Sequence, residues 1–283
     1  MGLVKRLIKR NEALYNFLIF EKNRWTLMFA HIIPFFFCGC MRLLKIKKYY
    51  EPYKPVEKYK NSANKDRCFV IATGPSLTTQ DIEKLSEEVT FGVNSIFTLY
   101  DKTDFRPTYY VSGDYKLWDE WLEQGKKFSL FDLARDGIFL SHPIKKIFNR
   151  YQLNDEHVTY VPVCWLDHYA NGIKSRWMAF CKNILFGIVD NFTVTNMAIN
   201  IAVYMGYKKI YLLGCDCNYL GVKAHVGDDE IMEEKKAVAG VAAMKRGYEY
   251  VNKKIKKIGV RVYNVTRGGD LEVFERKNFD DIL

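Results

Sequence analysis

The sequence predicts an α/β fold, a mostly parallel sheet with helices on both faces, carrying a helical N-terminal appendage. Three observations predict it. From residue 67 onward, short continuous apolar runs alternate with longer stretches of helical spacing, the pattern of βαβ units. Most of those runs stop at a glycine or a small polar residue. The first 48 residues, by contrast, are basic and apolar with no such alternation.

Cys68-Phe69-Val70-Ile71-Ala72 is the first expected strand, ending in Gly74-Pro75-Ser76. A helix follows, with Thr78 as its cap and Asp81 three residues on. Val89–Val93 is the second strand, ending at Asn94, and Thr108–Ser112 the third, ending at Asp114. Gly137–Leu140 and Val158–Val161 come next. A helix is expected from about Thr195 to Tyr204, with Met197, Ile201 and Tyr204 on one face. Lys209–Leu213 is the clearest strand and closes on Gly214-Cys215-Asp216. A long helical stretch, about 230–258, leads to the last strand, Val260–Tyr263. Ligands of such Rossmann-like sheets sit outside the carboxyl ends of the strands. That rule selects Thr73 to Ser76, Asn94, Asp114 and Asp216 as a group.

Three regions follow from this reading: a basic, apolar helical membrane-association segment over 1–48, a polar, proline-interrupted linker over 49–66, and the α/β domain over 67–283. The charge separates them. The chain carries +10, but residues 1–48 alone carry +8, which leaves the body close to neutral. A protein gripping a polyanion spreads lysine and arginine over its body, so nucleic acid is not an expected partner. Seven cysteines, without regular spacing and partly inside apolar runs, fit a reducing cytoplasm. The two Cys-x-Cys pairs lack a histidine at ligand spacing, so no metal site is expected.

Residues 25–41 are uncharged and bounded by Arg24 and Arg42. A span wants about 20 apolar residues, and this stretch is shorter and holds His31 and Pro34. Aromatic residues flanked on both sides by basic ones suit an interfacial helix on an anionic membrane surface. A hairpin packed on the domain and a true span are the alternatives.

Gly74 lets backbone approach a ligand closely, and amides near a helix start favour phosphate. A Gly-Pro turn is also an ordinary structural turn. More specific is the order of several motifs: Thr73-Gly74-Pro75-Ser76-Leu77, Phe91-Gly92-Val93-Asn94-Ser95, Tyr110-Val111-Ser112-Gly113-Asp114, Thr195-Asn196-Met197-Ala198, the run Gly206 to Asp216, and His225. Over roughly residues 67–283 this order resembles the bacterial sialyltransferases of glycosyltransferase family 42. It equally resembles the motility accessory factors and the methylpterin pyrophosphokinases, grouped as domain of unknown function 115.

The resemblance implies a GT-A-like variant of the Rossmann-like sheet. It implies nucleotide contacts from Thr73, Gly74, Pro75, Ser76, Asn94, Ser95 and Asp114. Thr195 and Asn196 match a Thr-Ser pair near the donor sugar, and Tyr219, offset by one, matches a tyrosine on the leaving phosphate. Asp216 matches the acid closing the Gly-x-Asp strand, and His225 falls where the sialyltransferases carry their base. Both are the expected catalytic residues. Thr73 stands where those enzymes have asparagine and Asn196 where they have serine, so the donor sugar is not carried over. Asp114 has a second role open to it, as a helix cap, and His225 one as an ordinary loop residue.

The expected activity is glycosyl transfer from a nucleotide-sugar, CMP-linked sugars included, to a glycan or lipid-linked acceptor. The products would be capsule, lipopolysaccharide or a related surface glycan. The expected place is peripheral, at the cytoplasmic face of the plasma membrane, with oligomers open. No D-x-D motif is present, so no cofactor is required in this reading. Asp228-Asp229-Glu230 reads more simply as an acidic helix start than as a magnesium site. Two alternatives stand beside it. One is a pyrophosphokinase of the 6-hydroxymethylpterin type, which needs ATP and magnesium. The other is a non-catalytic protein that binds nucleotide-sugar or assembles a glycan complex.

Overall fold

Consecutive residues of the first strand point to opposite faces and are buried on both, which is why the strands read as unbroken apolar runs. In β1 (Arg67–Ile71), Cys68 and Val70 join one core and Phe69 and Ile71 the other. A computed structural model describes residues 25–127, 129–165, 178–218 and 234–283. Its main sheet has eight strands, all parallel: β1, β2 (Thr90–Val93), β3 (Tyr109–Ser112), β4 (Gly137–Ser141) and β5 (Val158–Val161), then β8 (Lys209–Leu213), β9 (Arg261–Asn264) and β10 (Glu275–Arg276). A separate parallel pair joins β6 (Val163–Cys164) to β7 (Ile188–Val189).

The order β10-β9-β8-β1-β2-β3-β4-β5 makes β1 the switch strand. The chain builds outward through β2 to β5, then returns to the other side of β1 with β8. The crevice between the carboxyl ends of β1 and β8 is where such sheets bind ligands. The fold is therefore the Rossmann-like α/β arrangement with an apolar N-terminal helix.

Two helices matter most for the crevice. One is α5 (Val194–Met205), preceded in the chain by α1 (Ile33–Leu43), α2 (Thr79–Glu83), α3 (Tyr115–Glu123) and α4 (Ile144–Tyr151); the other is α6 (Glu234–Lys256). Every residue of α5 from Thr195 to Met205 is buried, as expected of a helix that is apolar nearly all round. Gly206 ends it in the left-handed conformation at φ 107°, which glycine adopts without penalty. Thr78 caps α2 by accepting from Asp81 N at 3.2 Å.

Residues 49–66 do not behave as the expected linker. Glu51–Tyr59 forms a 3-10 helix, and Tyr50, Val56 and Tyr59 are in the core. Pro52 sits at the start of that helix, where a missing N–H costs nothing. The prolines mark a packed turn of helix.

Among the described residues one helical stretch, Trp25–Leu43, is long and apolar enough to cross a membrane. Its inner face is docked on the domain. Leu27, Ile32 and Phe35 cluster with Val189, and the buried Arg42 donates from Nε to Leu185 O at 2.6 Å and from Nη2 to Phe186 O at 2.5 Å.

Candidate active site

Four strand ends converge on one cavity of about 700 Å³. Its lining includes Thr73 and Gly74 after β1, Asn94 after β2, Asp114 after β3, and Gly214 with Cys215 after β8. Further lining comes from Asp190 and Phe192 to Thr195, which lead into α5, from Trp165, and from Met244 and Tyr248 of α6.

Asn94 is oriented by a directed chain. An indole N–H can only donate, and Trp118 Nε1 donates to Ser112 Oγ at 3.0 Å. The Ser112 hydroxyl then donates to Asn94 Oδ1, also at 3.0 Å. The amide is thereby fixed with its oxygen engaged, which leaves Nδ2 as the donor for the cavity. Tyr110 Oη donates to Asn94 O at 2.7 Å, which holds the residue at φ 43°. Asparagine tolerates that left-handed conformation better than most side chains. Phe192 at 70° and Cys217 at 49° also line the cavity in left-handed backbone. For a phenylalanine this is a strained state, and such states gather at binding sites.

Two helix starts border the cavity. Thr193 caps α5 by accepting from Thr195 N at 3.2 Å. Asp114 caps α3, its Oδ1 accepting from Lys116 N at 2.8 Å and Leu117 N at 3.4 Å. Of the two roles open to Asp114, the structure shows capping, and the exposed residue also lines the cavity. Behind Thr195, burial pushes the Tyr248 phenol well above its usual range, while hydrogen bonds with Thr195 and Thr193 pull it down. Burial likewise pushes the Cys215 thiol up. These groups therefore sit as neutral hydroxyls and thiols around the start of α5. Ser95 Oγ donates to Thr73 Oγ1 at 3.3 Å, bracing the β1 loop from the side of β2.

Other expected site residues are placed differently. Asp216 is 5% exposed and turns its carboxylate to Ser76, accepting from Oγ at 3.0 Å and from N at 3.4 Å. Neither residue lines the cavity, and Pro75 lies exposed beside them. Burial raises the Asp216 carboxyl above its ordinary value, against the opposing pull of the Ser76 bonds and Arg276. Asp216 therefore acts here as a clamp between two strand-end loops, and no contact with the cavity gives it a catalytic position. Gly74 has a related reason. A Cβ there would collide with Asp216 Oδ2 and Gly214 O, so loop-on-loop packing demands the glycine before any ligand does.

Asn196 turns away from the cavity that Thr195 lines, donating from Nδ2 to Asn191 O at 3.1 Å. Tyr219 and His225 lie outside the described residues. Sequence reasoning missed Asp190, Phe192, Trp165 and Tyr248. Only Thr193 before an apolar helical run carried a readable signal, that of an N-cap. Among the described residues no cluster of three or more His, Cys, Asp or Glu side chains is placed to hold a metal ion. None of the seven cysteines forms a disulfide among the described residues.

The sequence profile of the 6-hydroxymethylpterin diphosphokinase MptE-like family matches residues 42–221, well over half of the chain. No curated protein matches the sequence. Among solved structures, the chain is similar to the MAf glycosyltransferase from Magnetospirillum magneticum AMB-1, with a TM-score of 0.47 and 16% identity. That match covers 81% of this chain and only 38% of that one. It is also similar to the sialyltransferase CstII from Campylobacter jejuni in complex with the substrate analogue cytidine-5'-monophosphate, at 0.44 and 13%, covering 76% and 85% of the two chains. An α-2,3-sialyltransferase from Campylobacter jejuni follows at 0.40 and 13%, covering 77% and 82%.

Proposed function

The chain belongs to the 6-hydroxymethylpterin diphosphokinase MptE-like family, and from that premise we propose that its strand-end cavity binds a nucleotide-activated sugar and that the chain is a glycosyltransferase. The observation that carries the reading is the cavity's polar lining. In an otherwise largely apolar wall over the switch strand of the sheet, the hydroxyls of Thr73, Thr193, Thr195 and Tyr248, the oriented Asn94 amide and the start of α5 stand beside Lys116 and the carboxylates of Asp114 and Asp190. The start of α5 and the neutral donors suit a phosphate-bearing ligand, whereas the start of α3 is already capped by the Asp114 carboxylate. A cavity of this size lies within the range of about 300–1,000 Å³ common for small-molecule ligands.

In this reading Thr73, Gly74, Asn94, Ser95 and Asp114 hold the nucleotide, with Pro75 and Ser76 shaping the loop. Thr195 and the start of α5 face the phosphate that departs, with Asn196 supporting the turn behind them and Tyr219 adding a hydroxyl. The acceptor hydroxyl gives its proton to His225 while its oxygen bonds to the anomeric carbon. The bond from that carbon to the phosphate oxygen breaks, and the nucleotide leaves with the electron pair. Neutral donors preset at that oxygen stabilise the charge as it forms. The enzyme would work at the cytoplasmic face of the plasma membrane, on a glycan or lipid-linked acceptor for capsule, lipopolysaccharide or a related glycan.

A second reading has its own support. Asp114 and Asp190 both border the cavity, and magnesium is commonly held by one or two carboxylates together with substrate phosphates. That arrangement, with the family's name, suits diphosphoryl transfer from ATP to a pterin-like alcohol. Thermal-shift titration with CMP-, UDP- and GDP-sugars and with ATP, each with and without magnesium, separates the two. A ligand at 100 times its Kd stabilises by about 2.7 kcal/mol. Stabilisation by ATP with magnesium and by no nucleotide-sugar would overturn the glycosyltransferase reading.

A further inference from the structure

The stretch Trp25–Leu43 has two unlike faces. Leu27, Ile32, Phe35 and Arg42 are 2–7% exposed and pack on the domain. Trp25, Phe29, Ile33 and Phe36 recur at intervals of four and three residues and are 47–61% exposed, a stripe continued by Leu43 and Leu44 at 45% and 67%. Such spacing puts these side chains on one side of a helix. An exposed apolar stripe of this length and aromatic content marks an interaction surface.

Charge decides what covers it. The stripe runs straight into exposed Lys45, Lys47 and Lys48, and the 3-10 helix beyond adds exposed Lys54 and Lys58, with Lys60 following it. Against these stand only Glu51 and Glu57. An apolar face rich in tryptophan and phenylalanine beside a lysine cluster is complementary to an anionic lipid surface. The inner face excludes the spanning alternative. A segment fastened at Arg42 to Leu185 and Phe186, and at Phe35 to the ring of Phe186 (centroids 5.4 Å apart), cannot also be wrapped in lipid.

The inner face also meets the cavity. Val189, in the cluster under Phe35, is followed at once by Asp190, and Cys164 of the paired strand by Trp165; both successors line the cavity. We propose that Trp25–Leu43 lies in the plane of an anionic membrane surface, its outer stripe in the acyl boundary and its inner face backing the cavity wall. This deepens the transferase reading by giving its acceptor a lipid-borne class, and it rests on that reading only for its purpose. The vesicle test below reads binding alone, so its failure leaves nucleotide binding standing, and the reverse holds too.

The full chain is tested by flotation with vesicles of phosphatidylcholine alone and of phosphatidylcholine mixed with phosphatidylglycerol. Binding is expected on the mixed vesicles and at least about tenfold weaker on the neutral ones. The variant Phe29→Ser with Leu44→Ser removes the two most exposed side chains of the stripe and should lose at least about tenfold in binding at an unchanged unfolding midpoint. Equal flotation of that variant, or no binding by the natural chain, overturns the proposal. So does a natural chain that is dimeric without lipid and does not float, since a second copy then covers the stripe. Depth is read by brominated-lipid quenching of Trp25, compared with Phe36→Trp in a Trp25→Phe background. In plane, the two are quenched alike; a span separates them by about 16 Å along the membrane normal, and unequal quenching overturns the in-plane geometry.

Discussion

Ser76 Oγ donates to Asp216 Oδ2 across 3.0 Å, joining the loop after β1 to the loop after β8 from opposite ends of the domain sequence. The same carboxylate oxygen accepts from Ser76 N at 3.4 Å, and the Asp216 carbonyl accepts from Asp270 N at 2.7 Å. Three loops at the switch point are thus held together by one residue that does not line the cavity.

Asp216→Asn tests that role. Burial raises the folded carboxyl above its ordinary value, so its contribution to stability is complete at low pH and is lost as pH rises through the folded value. At neutral pH the charge is a cost. Asparagine keeps an acceptor for Ser76 and carries no charge. The variant should fold at pH 7, gain stability relative to the natural chain as pH rises from acid to neutral in urea melts, and keep turnover within about tenfold. A loss of about 10²-fold or more at unchanged nucleotide affinity would instead make Asp216 a catalytic acid or base.

Gly74→Ala should destabilise the fold as well as the site. The new Cβ collides with Asp216 Oδ2 and Gly214 O, and overpacking of this kind costs about 1–3 kcal/mol. Combining it with Asp216→Ala removes one of the two collisions. The pair should therefore be less destabilised than the two single changes predict, by about 0.5 kcal/mol or more in a double-mutant cycle. Additive melting data would mean that the loops do not meet as described.

Asn94→Asp exchanges the amide donor for a second carboxylate oxygen without changing shape. It keeps a side chain that accepts φ 43° and still takes the Ser112 hydrogen bond. What it loses is the Nδ2 donor, and it adds a charge opposed to phosphate. A hydrogen bond to a charged group contributes about 1.5–3 kcal/mol, so nucleotide affinity by calorimetry should fall by about ten- to a hundredfold. An unchanged affinity moves the nucleotide away from β2.

What was legible in the sequence follows burial. Strands buried on both faces read as apolar runs, and β1, β5 and β8 fall within a residue of expectation. Two-residue strands such as β6 and β7, or the exposed Glu275–Arg276 of β10, are too short to show a period. The strand-end rule brought Thr73, Asn94 and Asp114 to the cavity, because chain order along a parallel sheet fixes where its loops emerge. It could not say which way a side chain turns. Asp216 faces Ser76, 140 positions away in sequence, and no local pattern encodes that. Tyr248 was invisible for a similar reason. Its place at the cavity depends on Gly247 of α6, where any Cβ would strike Asn191 O, a contact between distant segments.

His225→Ala addresses the base. His225 is the histidine of the motif order that follows Gly214-Cys215-Asp216, and in the proposed reaction it takes the acceptor proton. General base catalysis contributes typically 10²–10⁴-fold. The variant should lose turnover by that order while nucleotide affinity barely changes, since the proton moves only in the transition state. In that reaction the natural chain's rate should fall as pH drops through the range around an unperturbed histidine at about 6.5, because the imidazolium has no lone pair to offer. In His225→Ala that acid limb should vanish from the residual rate, and added imidazole should restore part of it. Normal turnover in the variant with the natural donor and acceptor would make His225 a plain loop residue and turn attention to Asp190, the buried carboxylate on the cavity wall.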